Sequence, residues 1–124
     1  MEFEEHKPIY LQISDFVCNK ILLYEWKEEK RIPSVRELSA RLGVNPNTII
    51  KSYDYLESRK LIRNKRGSGF YVDTGAVNII KNENKAFFME HIVPNLFSQL
   101  EILQIDMIEI VTLHERFKSK KNSQ

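Results

Sequence analysis

The sequence predicts a mostly α-helical protein with one small β-hairpin, and three observations predict it. Apolar residues recur at helical spacing through most of the 124 residues, two helix-start signals stand close together at Ser34 and Asn45, and two β-prone runs flank a glycine-containing turn. A chain of this length corresponds to one domain, or to one small domain with an appendage. With 42% hydrophobic and 29% charged residues, it can bury a core and is not disordered.

Composition excludes several classes of protein. The acidic start, Met1 to His6, lacks the basic residues and apolar core of a signal peptide, and no apolar run approaches the roughly 20 residues of a membrane span. The single cysteine, Cys18, excludes an internal disulfide framework and a cysteine-based zinc cluster. His6, His91 and His114 have no metal-ligand spacing, and the sequence contains no plausible nucleophile–base pair. We therefore expect a cytoplasmic protein without membrane segment, metal or cofactor, and not an enzyme.

The first helix is expected from Pro8 to Tyr24. Proline suits the first helical position, and a β-branched apolar residue then recurs every four residues, which gives one apolar stripe. The stripe consists of Ile9, Ile13, Val17 and Ile21. Cys18 lies beside this stripe and is expected to be buried filler.

Two short helices follow, with a tight turn between them. Ser34 and Glu37 form the pattern of a capping box, and Gly43 is suited to end that helix. Asn45 can cap the next helix, with Pro46 at its first position. At 100° per residue the two faces of this helix differ. One carries Ile49, Tyr53 and Leu56, and the other carries Asn47, Lys51, Asp54 and Ser58, with Thr48 on its flank.

A β-hairpin is expected after these helices. The β-prone runs Leu61–Lys65 and Phe70–Val72 are separated by Arg66-Gly67-Ser68-Gly69. The tip of the hairpin is therefore expected to be basic and flexible.

The second half of the chain has helical spacing again. Pro94 is expected to divide it into helices over roughly 77–92 and 95–118. A wide apolar stripe consists of Leu96, Leu100, Leu103, Met107, Ile110 and Leu113. The residues expected to make the dimer contact are Phe97, Leu100, Leu103, Met107 and Ile110. Because such a stripe exceeds what one helical pair can hide, we expect another chain to cover it. The predicted organisation is a helical unit with its hairpin over residues 1–75, followed by a two-helix dimerisation segment over 76–124.

Basic residues are concentrated in the part of the chain that holds the two short helices and the hairpin. Residues 31–71 contain nine basic and three acidic side chains, a net charge of +6 in a chain of net charge +2. A local excess of this kind is typical of a surface that faces phosphates, although a solvated basic face without a partner has the same composition.

The order helix, helix–turn–helix and hairpin is that of a winged helix-turn-helix. The major groove of B-DNA admits one helix, and side chains near the start of that helix reach base edges. A basic hairpin beside it can contact the backbone or the minor groove. The order of elements therefore favours double-stranded DNA as the partner.

Several blocks of residues resemble the DNA-binding domain of GntR-type bacterial transcription regulators, over about residues 7–75. Their order and spacing both agree. The run Asn45-Pro46-Asn47-Thr48, together with the short C-terminal part, resembles the YtrA-like branch. The blocks are Pro8-Ile9-Tyr10-Leu11-Gln12-Ile13, Arg31-Ile32-Pro33-Ser34-Val35-Arg36-Glu37-Leu38-Ser39, Leu42-Gly43-Val44-Asn45-Pro46-Asn47-Thr48 and Lys65-Arg66-Gly67-Ser68-Gly69-Phe70-Tyr71-Val72.

The resemblance implies roles for individual residues. It implies that Arg36 contacts operator DNA, and that the hairpin tip approaches the minor groove through Lys65, Arg66, Gly67 and Ser68. The recognition-helix positions are Asn45, Asn47, Thr48 and Lys51. Simpler roles remain open for three of these residues: Arg36 as a surface arginine paired with Glu37 or Asp54, Asn45 as a cap only, and Gly67 as a turn residue only.

The chain departs from the family pattern at four positions. The family usually has small residues or glycine where Tyr24 and Glu29 stand, and often glycine where Lys60 stands, so the loop after the first helix is expected to differ. Many relatives have arginine in place of Pro46, and base specificity is therefore expected to rest more on Asn47 and its neighbours.

The function expected is that of a dimeric transcription regulator, a repressor that binds a palindromic operator. The resemblance implies control of a neighbouring transporter operon. The main alternative is a winged helix that binds protein rather than DNA. A small-molecule effector at the dimer interface is possible but not indicated, because the aromatic and methionine side chains that would line its pocket are more often core; they are Trp26, Phe87, Phe88, Met89 and Phe97.

Overall fold

The computed structural model describes residues 1–122 and confirms a mostly helical chain with one hairpin. Residues 123 and 124, the end of the predicted dimerisation segment, lie outside the described residues. The chain divides into two compact units, which we call the N-terminal unit (Met1–Glu83) and the C-terminal unit (Asn84–Gln124). None of the helices in the described part of the chain is both long and apolar enough to cross a bilayer.

Three helices begin the N-terminal unit: α1 (Ile9–Leu22), α2 (Val35–Leu42) and α3 (Pro46–Ser58). The capping box of α2 is present in both directions, since the Glu37 amide donates to Ser34 Oγ at 3.1 Å and the Ser34 amide donates to Glu37 Oε1 at 3.2 Å. Gly43 ends α2 with φ +66°, in the left-handed region that favours glycine. The caps predicted for α2 are therefore confirmed.

The hairpin consists of β1 (Ile62–Lys65) and β2 (Gly69–Val72), which pair antiparallel with Ile62 opposite Val72 and Lys65 opposite Gly69. An isolated bridge joins Arg31 to Tyr71, so the segment before α2 lies along the outer edge of β2. The predicted hairpin is confirmed, and we call it the wing.

The core of the N-terminal unit holds every buried hydrophobic residue among residues 1–122. Tyr53 of α3 lies at its centre: its side chain is fully buried, its hydroxyl donates to the Pro33 carbonyl at 2.7 Å, and its ring meets that of Phe70 edge-on at 4.9 Å. This one side chain therefore joins the recognition-type helix to the loop before α2 and to the wing. The core residues are Ile13, Val17, Cys18, Ile21, Ile32, Leu38, Ile49, Tyr53, Leu56, Leu61, Ile62, Val72, Ala76, Val77 and Ile80.

Three residues adopt left-handed backbone conformations where the family pattern favours small residues or glycine. Tyr24, Glu29 and Lys60 have φ of +60°, +69° and +62°. The loop after α1 was expected to have a different backbone because of these larger side chains. Instead, the three residues adopt the left-handed conformation that glycine would adopt, at a steric cost of about 1–2 kcal/mol per residue.

Helix α4 (Ala76–Phe87) begins where the second segment was predicted to start, but its first turns belong to the N-terminal unit. Ala76, Val77 and Ile80 are buried in the core. The Glu28 carboxylate accepts from the Gly75 amide at 2.9 Å and from the Val77 amide at 3.1 Å, and so satisfies amides that the first turn leaves free. The compact unit therefore continues to Glu83.

The predicted helix break at Pro94 is wrong. Helical structure runs from α4 through one π-helical turn (Phe88–Ile92) directly into α5 (Val93–Leu103). Proline breaks an α-helix because it lacks an amide hydrogen and its ring meets the carbonyl four residues earlier. The wider π-helical turn directly before Pro94 changes that hydrogen-bond pattern, and Pro94 then falls in the first turn of α5.

The actual break lies between α5 and α6 (Met107–Asn122). Gln104 ends α5 with φ +56°, and Asp106 precedes α6. The Asp106 side chain accepts from the Ile108 amide at 3.1 Å, while Glu109 accepts from the Asp106 amide at 3.3 Å. This arrangement resembles the capping box of α2, except that the Asp106 side chain accepts from the second helical amide rather than the third; it was not predicted, although the spacing of Asp106 and Glu109 matches that of Ser34 and Glu37.

Candidate nucleic-acid interface

Helix α3 has one buried and one exposed face, as predicted. Ile49, Ser52, Tyr53 and Leu56 are buried, whereas Asn47, Ile50, Lys51 and Asp54 are exposed. We call the exposed group Asn47, Ile50, Lys51 and Asp54 the recognition face. The Asn45 Oδ1 accepts from the Asn47 amide at 2.8 Å, so Asn45 does cap the helix, and the amide group of its side chain is still free to donate to DNA.

The first turns of α3 lie beside the start of α1. Ser52 Oγ donates to the Tyr10 carbonyl at 2.7 Å, which joins the two helices. The Lys51 ammonium lies over the Tyr10 ring, 4.3 Å from its centroid. Asn47, Thr48 and Lys51, three of the predicted site residues, line one surface groove with Pro8, Ile9 and Tyr10. The aromatic ring holds Lys51 at the edge of the recognition face.

Arg36 is the second residue of α2 and is exposed. Arg36 pairs with neither Glu37 nor Asp54, and no other carboxylate among residues 1–122 forms an ion pair with it. The Glu37 carboxylate instead accepts from the Ser34 amide. The hydrogen bond from the Ser34 amide holds the pKa of Glu37 below its usual value, so the cap stays charged at neutral pH. Arg36 is therefore available to a phosphate.

The wing tip is a tight turn closed by the Ser68 amide, which donates to the Lys65 carbonyl at 2.8 Å. Gly67 has φ +79°, so turn geometry alone accounts for this glycine. Ser68 Oγ and the Tyr71 hydroxyl are 2.6 Å apart, and the Lys65 ammonium lies 4.2 Å from the Tyr71 ring centroid. One tyrosine therefore orients two of the predicted wing residues, while Arg66 is exposed at the tip.

Most of the basic residues in this region are not neutralised by acidic ones. Of the nine between 31 and 71, ion pairs within residues 1–122 engage two: Arg59 with Glu83, and Arg63 with Glu29 at 3.1 Å and with Asp73 at 3.8 Å. The other seven are Arg31, Arg36, Arg41, Lys51, Lys60, Lys65 and Arg66. The region therefore keeps an excess of unpaired positive charge, which favours phosphate binding.

The structure adds two residues that the sequence analysis did not single out. Arg31 packs against the wing so closely that a Cβ on Gly69 would stand 2.8 Å from the Arg31 Nε, which places another cation beside the hairpin. Ile50 is exposed at the edge of the recognition face, on the other side of Asn47 from Lys51. The 100° spacing that identified Asn47 and Lys51 also places Ile50 on that face, so the signal was available.

Nucleophilic chemistry is not favoured in this unit. Burial raises the pKa of the Cys18 thiol, which keeps the sulfur protonated and unreactive at neutral pH. Burial likewise raises the pKa of the Tyr53 phenol, whose proton is committed to Pro33. Cys18 therefore serves as the predicted buried filler.

A free basic surface, a capped recognition helix and a wing together define a DNA-binding winged helix-turn-helix protein of the kind that regulates transcription. The model for "Bacterial regulatory proteins, gntR family" matches residues 9–72, about half of the chain. The chain belongs to the GntR family of bacterial transcription regulators and is not an enzyme.

Two curated relatives from Bacillus subtilis (strain 168) match most of the chain. The uncharacterized HTH-type transcriptional regulator YhcF is 31% identical over 110 residues, which cover 87% of this chain and 90% of the relative. The HTH-type transcriptional repressor YtrA is 34% identical over 115 residues, which cover 90% of this chain and 82% of the relative. The resemblance extends beyond the winged helix-turn-helix into the C-terminal unit.

Solved structures are similar over both the whole chain and the N-terminal part. A GntR-family regulator from Bacteroides thetaiotaomicron has a TM-score of 0.72 at 43% identity and covers 91% of this chain and 98% of its own. The DNA-binding domain of AraR, solved in complex with operator ORR3, has a TM-score of 0.53 at 28% identity and covers 58% of this chain and 87% of its own. DNA binding is thus a property of a related winged helix-turn-helix.

Proposed function

We propose that this regulator is a homodimeric repressor that binds a palindromic operator through Arg36, the start of α3 and the wing. The single observation that supports a dimer is the exposure of apolar side chains on the C-terminal unit. None of residues 84–122 is buried, although the segment is rich in large apolar side chains. A helical unit without a core of its own is stabilised when a second chain covers its apolar surface.

The residues predicted for dimerisation belong to that surface. Phe97, Leu103 and Met107 expose 52%, 61% and 44% of their area, while Leu100 and Ile110 are half-buried. Phe97, Leu100 and Met107 line one groove together with Glu101 and Ile105. The apolar side chains around this groove can be covered by the same patch of a second copy, because a two-fold axis brings identical patches together.

DNA binding by this dimer follows from its symmetry. Two recognition helices related by a two-fold axis fit two half-sites one or more helical turns apart, and so favour an operator with inverted symmetry. Asn47 and Lys51 would contact base edges, whereas Arg36, Lys65 and Arg66 would contact phosphates or the minor groove. The AraR domain, which binds its operator with a related fold, supports this use of the N-terminal unit.

Repression is the sign of regulation that we propose, and the similarity to the repressor YtrA over 90% of the chain supports it. The place of action is the cytoplasm, where the operator lies. The sequence resemblance to the YtrA-like branch makes the upstream region of the gene itself and of adjacent transporter genes the first sequences to test for an operator.

The test is a titration of the full chain into a labelled upstream duplex and into a scrambled duplex, read by fluorescence anisotropy at two salt concentrations. We expect the upstream duplex to bind about a thousandfold more tightly or better, with affinity that falls steeply as salt rises. Sedimentation equilibrium on the same sample should give the mass of a dimer. A protein that binds neither duplex at low salt, and no sequence from a random pool, would favour the protein-binding alternative.

A matched pair of lysine variants tests whether the wing contacts DNA. Lys65→Ala should weaken binding to all sequences and lower the slope of log affinity against log salt by about one per half-site. Lys81 is exposed on α4 outside the proposed surface, and Lys81→Ala should leave both quantities unchanged. Equal losses in the two variants would contradict the role of the wing.

A further inference from the structure

The recognition face contains one side chain that its polar neighbours do not explain. Ile50 exposes 45% of its area, and it belongs neither to the buried core nor to the partly buried residues packed against that core. It shares the exposed face with Asn47, Lys51 and Asp54, which all lie on one side of it around the helix axis. A β-branched residue at a position that is 45% exposed costs helix propensity and gains only part of its possible burial. The fold alone gives no reason for an isoleucine here.

The position of Ile50 on α3 suits contact with a base. It is the fifth residue of the helix, in the part of a recognition helix that meets base edges. At 100° per residue, Ile50 lies about 60° from Asn47 around the helix axis, and Lys51 lies on the other side of Asn47. The Asn45 cap and the Ser52 bond to Tyr10 fix this turn of the helix, so the Ile50 side chain is presented by rigid backbone.

We infer that Ile50 is a specificity-determining residue that recognises a thymine methyl group in the major groove of the operator. The C5-methyl group of thymine is the apolar feature of the major-groove edge, and an apolar side chain is its natural partner. Isoleucine carries neither donor nor acceptor, so it cannot satisfy the polar edge of guanine or cytosine and disfavours those bases there. The inference rests on the proposed operator binding and specifies one base of the half-site.

The test removes the methyl group alone. An operator is first obtained by selecting a random duplex pool with the full chain, and each thymine of a half-site is then replaced singly by deoxyuridine. We expect one position at which this replacement weakens binding about fourfold, and about fifteenfold when both half-sites are replaced. Deoxyuridine at the other thymines should change affinity less than twofold.

Protein variants assign that loss to Ile50. The Ile50→Ala protein should bind the thymine and deoxyuridine duplexes equally, so that the two changes are not additive in a double-mutant cycle. Leu23, which exposes 60% of its area in the loop after α1, provides the control. Leu23→Ala should keep the full fourfold preference for thymine. Both variants should unfold at the wild-type temperature, because each replaces an exposed side chain.

The possible outcomes distinguish the failure of the Ile50 inference from the failure of the proposed operator binding. If selection yields no preferred sequence, the operator-binding proposal fails and the inference fails with it. If an operator is found but has no thymine whose methyl group matters, operator binding stands and the role of Ile50 is wrong. A methyl effect that persists unchanged in Ile50→Ala likewise overturns it, since another side chain must then contact that methyl group.

Discussion

The N-terminal and C-terminal units differ in where their apolar side chains lie. From Ile13 to Ile80 the apolar side chains converge on one core with Tyr53 at its centre. From residue 84 to 122 the chain forms regular helices of similar length, yet it buries no residue. Periodic apolar spacing therefore produced helices in both units but a self-contained core in only one.

The difference shows that helical periodicity predicts where helices form, but not which other surface packs against their apolar faces. The loops that join α1, α2 and α3 fold these helices against one another, and the Ser52 and Tyr53 hydrogen bonds hold them there. In the C-terminal unit the break between α5 and α6 does not bring enough apolar surface together to bury any residue of 84–122. The stability of the first unit should be a property of one chain, and that of the second a property of two.

The largest expected effect comes from placing a charge on the C-terminal apolar surface. Phe97→Asp should convert the proposed dimer to a monomer and weaken operator binding by about a hundredfold or more, because the two half-sites are no longer bound together. Gln99→Asp, an exposed polar position two residues further along α5, is the control and should change neither property. Sedimentation equilibrium and fluorescence anisotropy measure the two effects. A Phe97→Asp protein that remains a dimer would contradict the comparison.

A second experiment tests how far the self-contained core extends. Ile80→Ala should lower the free energy of unfolding by about 2–4 kcal/mol, because the side chain is 2% exposed and its removal leaves a cavity. Lys81→Ala, at the exposed neighbouring position, should stay within about 0.5 kcal/mol of wild type. Denaturant unfolding followed by tryptophan fluorescence reports on Trp26 in the same unit. A loss below about 1 kcal/mol at Ile80 would place the end of the core before α4.

Left-handed residues allow a sharper comparison, since each unit has one directly at the end of a helix. Lys60→Gly should raise the free energy of unfolding by about 0.5–1 kcal/mol, because glycine removes the strain of φ +62° while it adds entropy to the unfolded chain. Lys60→Val should lower it. Gln104→Gly relieves φ +56° in the C-terminal unit, and its gain should depend on protein concentration. Equal, concentration-independent gains would indicate that both units are stable as single chains.

The smallest expected effect concerns pH and the cap of α2. The pKa of Glu37 is lowered in the folded protein by the Ser34 amide, so its contribution is present above the ordinary value of 4.5 and is lost as the pH falls through the lowered pKa. Glu37→Gln should therefore flatten the fall in unfolding temperature below pH 4.5. The difference between the two proteins should be the same at low and high protein concentration, since the cap belongs to the N-terminal unit. A steeper fall in the variant would contradict the assignment.

Much of the fold could be predicted from the sequence because its signals are local. Ser34 with Glu37, Asn45 with Pro46, and the glycine-containing turn are each defined within a few residues, and all three lie where they were predicted. The recognition face was predicted for the same reason, apart from Ile50. The break at Pro94 was wrong because proline has more than one structural outcome, and the π-helical turn that accommodates it has no clear sequence signal.

Other features depended on contacts distant in sequence. The Glu28 carboxylate stabilises the start of α4 from almost 50 residues away, and Arg31 lies beside Gly69 through a single bridge to Tyr71. The roles of the predicted contact residues, and the division into a DNA-binding and a dimerisation segment, stay predictions. They depend on a DNA molecule and a second chain, which sequence periodicity does not describe.

The π-helical turn between α4 and α5 has a consequence for how relatives can diverge. A turn of this kind accommodates one residue more than an α-helix does. Deleting one residue from Phe88–Ile92 would restore ordinary α-helical winding, and the side chains of α5 would keep almost the same direction about the helix axis, because the turn had absorbed the extra residue. One codon could thus be lost here without turning the downstream apolar face, whereas a deletion within the ordinary α-helical part of α4 or α5 would rotate every later side chain of that helix by about 100°.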